Sequence, residues 1–401
     1  MKKLLVLATA VLSVAAHAER WDSMKNNNPN FFAPVAGGPI KLDLKVLKTE
    51  AKLQDDRYGW SDSYWPSNLG GIAYRWNSAN PQPFKYKSPS KEELLSLQRN
   101  NPAALEALMN ELSPAELYDI SQGDYKYSLT KKVLKTYSPQ DLWWEGICHG
   151  WSLAASHYPE PDKNTVVNKD GISVSFGASD VKGLMAMHDS FNSKGFYARI
   201  GDRCSVVGKV PGEAFPEDGD VSMPSEKDAN RPECRDVNAG AFHAVLANMI
   251  GEYSQGFVAD VDRFNDVWNQ PITGYESQIH NDYYPVTPAE YKSGIDKKVR
   301  VTTKMFYGDE LEFRTHELEL EGIIAFVSKE PVTGTPMQVT TERNYEYILE
   351  LDSFGKIVGG EWISDSRPDM LWMKKKDPQF IDGRFPLSGL NKIYKPVPKR
   401  K

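Results

Sequence analysis

The first eighteen residues constrain this chain more than any other segment. Lys2 and Lys3 precede an apolar run from Leu4 to Ala16, and Ala16, His17 and Ala18 follow in small-x-small order. That is the pattern of a secretory signal peptide. The run is too short to cross a bilayer, which takes about 20 apolar residues, and no later window is apolar enough to try. The expected mature chain starts near Glu19, is exported to the periplasm or the extracellular space, and does not span a membrane. It must then fold where thiols oxidise. Three cysteines are present, so two can pair and one is left over. Cys204 and Cys234 lie 30 apart within a stretch rich in Gly, Pro and Asp, from Gly201 to Asn238, that reads as a long loop needing a tether. Closing it would stabilise the fold by about 3–4 kcal/mol in the chain-entropy model. Cys148 is the remaining thiol.

Removing residues 1–18 from the 401 leaves about 383, enough for two or three units at roughly 100–200 residues each. Without Lys2 and Lys3 the 48 basic residues become 46, against 54 acidic ones, a formal charge of −8. This excess argues against nucleic acid as a partner. The 10 tryptophans and 19 tyrosines suit polymer or peptide binding, although a large core with an aromatic-rich surface is the commoner reason.

Residues 19 to about 88 carry Asn, Pro, Gly and aromatics without periodicity and read as an irregular arm. From Ser90 the pattern becomes helical: a serine cap with Glu92 and Glu93 in the first turn, then a second helix over Pro102 to Leu112 and a third from Ser113 and Pro114. Near the other end, Tyr345 to Leu351 alternates, Ser353 to Lys356 turns, and Ile357 to Trp362 returns as a hairpin. The expected organisation is a signal peptide (1–18), an irregular and helical arm (19–120), a catalytic core (121–290) and a β-rich region (291–401).

Around the lone thiol the chain reads Trp143, Trp144, Glu145, Gly146, Ile147, Cys148, His149, Gly150, Trp151, then a small apolar run. A lone cysteine is usually a small buried hydrophobe. Here a glycine precedes it and helix formers follow, which delivers Cys148 to a helix start, where amides and macrodipole favour thiolate and can hold an oxyanion.

A nucleophilic cysteine needs a base, and six histidines lie beyond the signal peptide. His149, adjacent on a helix, points about 100° away from Cys148 and is better placed as a pocket wall. His157 and His188 read as polar helix-face residues, His280 and His316 as surface residues. His243 opens the strand-like run Phe242 to Ile250, followed by a turn at Gly251 to Gly256 and a second strand, Phe257 to Asp262. If Ile250 pairs with Phe257, both Asp260 and Asp262 share a face with His243 and either can orient it. Cysteine on a helix start with histidine and aspartate on a sheet is the transglutaminase or papain-like logic. The expected class is therefore α+β.

The nucleophile segment Gly146 to Trp151, the run Cys234 to Asn238 leading to Gly240 to His243, and Phe257 to Asp260 resemble the transglutaminase elicitor family. So do Val267 to Pro271, Leu349 to Asp352 and Gly359 to Trp362. The likeness spans about residues 140 to 375. It departs at Ile272 to Tyr275, so the plant-recognition property of the family's surface peptide is not carried over.

The resemblance implies a protein-glutamine γ-glutamyltransferase with Cys148, His243 and Asp260 as catalytic residues. It is the resemblance that selects Asp260 over Asp262, the aspartate following shortly after an aromatic residue. The implied partners are proteins or peptides bearing glutamine and lysine or another amine. No organic cofactor is implied. The family's calcium dependence makes calcium the cation to consider, with Glu217, Asp218 and Asp220 as hard-oxygen donors, although a solvated loop face explains them better. Trp143, Trp144 and Trp151 are candidates for an acyl channel. Two other readings compete: a papain-like cysteine peptidase with the same residue types, and a non-catalytic envelope-binding or recognition protein using an exposed Trp268 to Pro271 segment.

Overall fold

The structure, a computed structural model, describes residues 21, 27–78, 82–84, 87–202, 236–261, 267–310 and 340–399. The signal peptide, Cys204, Cys234, Glu217, Asp218, Asp220, Asp262 and His316 lie outside these.

The helices of the first half start where the sequence supplies caps. After a short turn, α1 (Ala33–Ala36), comes α2 (Lys91–Asn100), whose first turn is closed by Ser90 Oγ accepting from Glu93 N at 3.2 Å. Helix α3 (Pro102–Glu111) is capped by Asn101, and α4 (Pro114–Ser121) carries a capping box between Ser113 and Glu116. Such caps satisfy amides that a helix start leaves without partners. Helices α5 (Ser128–Leu134), α6 (Cys148–His157) and α7 (Ala178–Phe191) complete this layer. Their common core takes Trp60, Trp65, Ile72 and Trp76 from the arm, all buried, so the arm is a structural part of the helical layer. Lys182 of α7 shows how tightly it closes: its ammonium is buried, donating to Ser61 O (2.8 Å) and Glu160 Oε1 (2.6 Å).

The second layer is an antiparallel sheet. In chain order the strands are β1 (Glu50–Lys52), a separate β2–β3 hairpin (Asn164–Val167, Ser173–Phe176), β4 (Tyr197–Gly201), β5 (Phe257–Asp260) and β6 (Asn269–Tyr284). They continue with β7 (Lys297–Gly308), β8 (Thr340–Leu351), β9 (Ile357–Trp362) and β10 (Met370–Lys374). The spatial order is β4-β10-β5-β6-β7-β8-β9, with β1 added to β6. The expected β8–β9 hairpin is present, with Tyr347 opposite Trp362 and a turn held by Asp352. Strands β6 and β7 pair along their length, so one sheet runs through the expected boundary at residue 290.

The strand expected over Phe242 to Ile250 is a helix. Residues Ala239–Leu246 form α8, which runs into a π-helical turn, Ala247–Glu252. Asn238 Oδ1 accepts from the amides of Gly240 (2.9 Å) and Ala241 (3.2 Å), and three alanines favour the helix once it is capped. Every residue of α8 is buried. An apolar run with no polar face shows no helical period, so it cannot be told from a buried strand by pattern. The sheet curls about this helix: Phe242 and Val245 share a core with Phe257, Ile272, Met305 and Tyr347.

Candidate active site

Two glycines bring Cys148 into place. A Cβ at Gly146 would lie 2.3 Å from Tyr64 O, the same carbonyl that accepts from Ile147 N at 2.7 Å. A Cβ at Gly150 would lie 2.0 Å from Ala186 O and from Ser190 Oγ, so α6 packs on α7 with backbone in contact. The Gly-Ile-Cys-His-Gly run is thus a packing requirement that fixes where α6 begins. Cys148 is its first residue, and no side chain caps that end.

Across the layer boundary the thiol meets β6. Cys148 Sγ lies 3.7 Å from Asn269 Nδ2 and 3.7 Å from Val267 O. Trp372 Nε1, which can only donate, gives its hydrogen to Asn269 Oδ1 at 2.7 Å. The amide orientation is therefore determined: its NH2 faces the sulfur. Asp260 is the cross-strand partner of Asn269, so both side chains point to the α6 side of the sheet. It is fully buried, and its Oδ1 accepts from Trp268 N at 3.0 Å. Burial first, and then the negative fields of Glu310 and Asp260, push the Cys148 thiol up to about 12 against the opposing Asn269 amide. The resting site therefore holds a protonated thiol. Glu310 is itself raised well above the usual carboxylate range, by burial and then by Asp309 and Asp62.

Of the three residues expected to act together, the structure brings Cys148 and Asp260 to one site and places His243 elsewhere. His243 Nδ1 is 2.7 Å from Tyr347 Oη, which meets Thr303 Oγ1 at 2.6 Å. That chain lies inside the curl, on the α8 side of the sheet, because α8 is a helix and not the strand beside β5. Among the described residues no imidazole hydrogen-bonds to Cys148. His149 turns its ring edge-on to Phe191, and burial lowers its pKa to about 4. His157 and His188 are buried rather than on an exposed helix face, each with Nδ1 2.8 Å from an oxygen of Asp189. His280 Nε2 meets Thr302 Oγ1 at 3.0 Å.

Burial lowers the His243 pKa to about 4, which gives it a structural signature. The unfolded chain protonates this side chain near pH 6.5 whereas the folded one stays neutral to about pH 4. Between those values the unfolded state holds the extra proton, so stability falls as pH falls. His243→Gln keeps a hydrogen-bonding group without the proton. The urea-measured stability advantage of wild type over this variant should shrink by up to about 3 kcal/mol between pH 7 and pH 4. A difference independent of pH would mean that His243 is charged or exposed.

The tryptophans separate. Trp151 is fully buried, with Nε1 donating to Trp60 O at 3.0 Å, and is core rather than channel wall. Trp143 is 57% exposed and its ring lies 6.5 Å from that of Trp268, forming an aromatic rim beside Val267 and Cys148. Of the Trp268 to Pro271 segment, expected at the surface, Trp268 is half-buried and Asn269 to Pro271 form the buried start of β6. Sequence reasoning missed Asn269, Trp372 and Glu310 as site residues. Asn269 carried a signal in its place within the Val267 to Pro271 run, but a neutral amide has no pattern of its own. Among the described residues, one group of carboxylates has ligand atoms close enough to share a cation, Glu290, Glu350 and Glu361, and it is remote from Cys148.

A helix-start cysteine buried between a helical layer and a curled antiparallel sheet, faced by a fixed amide and a carboxylate, has the parts of a thiol acyl-transfer site. The chain belongs to the transglutaminase elicitor family, whose model matches residues 31–382. Among solved structures it is similar to the GP42 transglutaminase from Phytophthora sojae, with a TM-score of 0.57 and 20% identity over 90% of this chain and 92% of that one. At that identity the likeness is one of fold. No curated protein sequence matches the chain. Among the described residues no helix is long and apolar enough to cross a membrane.

Proposed function

We propose that this chain is an exported protein-glutamine γ-glutamyltransferase built on a papain-like pairing of helix-borne cysteine and sheet, with Cys148 as nucleophile, Asn269 as oxyanion donor and Asp260 as proton carrier. The observation that carries the reading is the Asn269 amide, held by Trp372 with its NH2 directed at Sγ. Cys148 Sγ attacks the glutamine carboxamide carbon as its proton passes to Asp260. The carbonyl oxygen gains charge beside the Asn269 NH2 and the amides at the α6 start, where fixed donors act without reorganisation. The C–N bond breaks, Asp260 returns the proton, and ammonia leaves a thioester. An amine attacks that carbon, the C–S bond breaks, and the sulfur regains its proton. Water in place of the amine gives glutamate. Glu310, buried near enough for its field to act on the thiol, is a further acid of the site. Trp143 and Trp268 form the entry rim for the peptide. The pairing of Cys204 with Cys234 remains part of this proposal.

The test is incorporation of a labelled primary amine into a glutamine-bearing protein by the mature chain, run beside a peptidase assay. Amine incorporation with ammonia release is expected; peptide cleavage without it would move the chain to the peptidases, and neither would make it a binding protein. Asn269→Ala should lower kcat by about 10²–10³-fold with KM little changed, as removal of an oxyanion donor does. A loss confined to KM would reassign Asn269 to substrate binding.

A further inference from the structure

The end of α6 opposite Cys148 enters a buried cluster that the acyl-transfer chemistry does not use. His157, Asp189 and His188 are each no more than 4% exposed. One carboxylate meets two imidazoles: Asp189 Oδ2 is 2.8 Å from His157 Nδ1, and Asp189 Oδ1 is 2.8 Å from His188 Nδ1. The outer nitrogens of both rings meet backbone at and beyond the end of β10. His188 Nε2 accepts from Ile381 N at 3.0 Å, so its hydrogen sits on Nδ1. His157 Nε2 lies 2.9 Å from Lys374 O, which can only accept, so this nitrogen carries a hydrogen. Its Nδ1 faces a carboxyl that burial would raise but that His157 and His188 together hold below the ordinary range. Both nitrogens of His157 therefore face acceptors, and the ring is an imidazolium. The other titratable groups around it are Tyr158, beside it in the chain, Lys376 and Asp377 after β10, Tyr394 near the C terminus, and Lys374, whose side chain acts on His149.

We propose that His157 is a positioning residue for the acyl-transfer site, a proton-dependent tie that holds the helix bearing Cys148 to the strand bearing Trp372. Its catalytic consequence rests on the acyl-transfer reading. Helix α6 is a single rod of 10 residues, about 15 Å long, with Cys148 at one end and His157 at the other. Lys374 is the last residue of β10, two places beyond Trp372, whose indole fixes the Asn269 amide against the thiol. The bond from His157 to Lys374 O thus joins the helical layer to the strand on which the orientation of Asn269 depends. Lys376 Nζ doubles the contact by donating to His157 O at 2.8 Å. Loss of the His157 proton opens the tie at a defined place. A neutral imidazole has one N–H for two acceptors, and a bond to a charged carboxylate is about twice as strong as one to a carbonyl. The remaining hydrogen stays with Asp189, Nε2 turns a lone pair toward Lys374 O, and β10 is released from the end of α6. The tie therefore holds below the pH at which His157 titrates and is lost as pH rises through it.

The test follows the His157 ring and the Trp372 indole N–H of the mature chain by nuclear magnetic resonance from about pH 5 to about pH 10. In wild type the indole signal should move with the same midpoint as the His157 ring. His157→Gln cannot carry the charge, so the ratio of wild-type to variant kcat for amine incorporation should fall from about 10–10² to near one across that midpoint. KM for the glutamine substrate should be the same in both. If the variant fails to fold, the wild-type indole signal alone decides whether the tie exists. An indole signal indifferent to the His157 titration, or a ring that is neutral throughout, would overturn the proposal. A coupled indole with a kcat ratio independent of pH would overturn the positioning role. Absence of amine incorporation by wild type at every pH would instead overturn the acyl-transfer reading, with the tie still judged by the indole signal.

Discussion

Cys148→Ala should lower amine incorporation by at least about 10³-fold while the far-ultraviolet circular dichroism and the unfolding midpoint stay near those of wild type. Removal of the nucleophile deletes the covalent route entirely. The structural loss is small by comparison. Cys148 is 8% exposed, its sulfur makes two long contacts at 3.7 Å, and the start of α6 is fixed by Gly146 and Gly150 rather than by the thiol. The raised thiol pKa, about 12 through burial, adds a check on the free enzyme. Alkylation of Cys148 by iodoacetamide should be slow at pH 7 and accelerate as pH rises, because thiolate is the reactive form. Retained activity in the alanine variant would remove the thioester from the account.

Asp260→Asn should reduce turnover by about 10²–10⁴-fold, comparable at its upper end to the aspartate-to-asparagine change in a serine triad, which is the general precedent. Asparagine is nearly isosteric and its carbonyl can still accept from Trp268 N, so the fold should survive. The sign of a second measurement separates proton transfer from plain damage. The Asp260 charge pushes the Cys148 pKa upward, so neutralising it lowers that pKa and increases thiolate at any given pH. Alkylation of Cys148 in the variant should therefore be as fast as in wild type or faster, while turnover collapses. If both rates fall together the substitution has disturbed the site. If turnover holds, Asp260 does not carry the proton.

Sequence made the nucleophile legible because the constraints on it are local. Gly146, Cys148 and Gly150 lie within five residues, and each of the two glycines is required by a close approach that a Cβ would destroy. The β8–β9 hairpin was legible because Glu346 and Glu350 interrupt the apolar residues of its first arm and Ser353 to Lys356 supply the turn, although the burial of Tyr347 to Leu351 does not itself alternate. The companions of the thiol were not local. Asn269 and Trp372 reach it across a layer boundary from strands more than 100 residues away in the chain. His243 misled because α8 is buried on all sides and its apolar run mimics a strand. Asp260 does stand at the site, although the hairpin that suggested it does not exist: an alternating count along β5 points it to the right face whichever element precedes that strand. The acidic residues Glu290, Glu350 and Glu361 are ordinary in sequence and become a cluster only when β8, β9 and the short helix Pro288–Lys292 meet.

The proposed nucleophile and its proposed oxyanion donor belong to different layers. Cys148 rides on the helices and Asn269 on the sheet, and no covalent segment shorter than the chain between residues 148 and 269 ties them together. Their 3.7 Å separation is therefore set by how the two layers are seated on each other. A lateral shear of one ångström, too small to alter any secondary structure, would take the amide out of reach of the tetrahedral oxygen. Activity in such a design reports mechanical registry, and under mild denaturant it should fade before either layer melts.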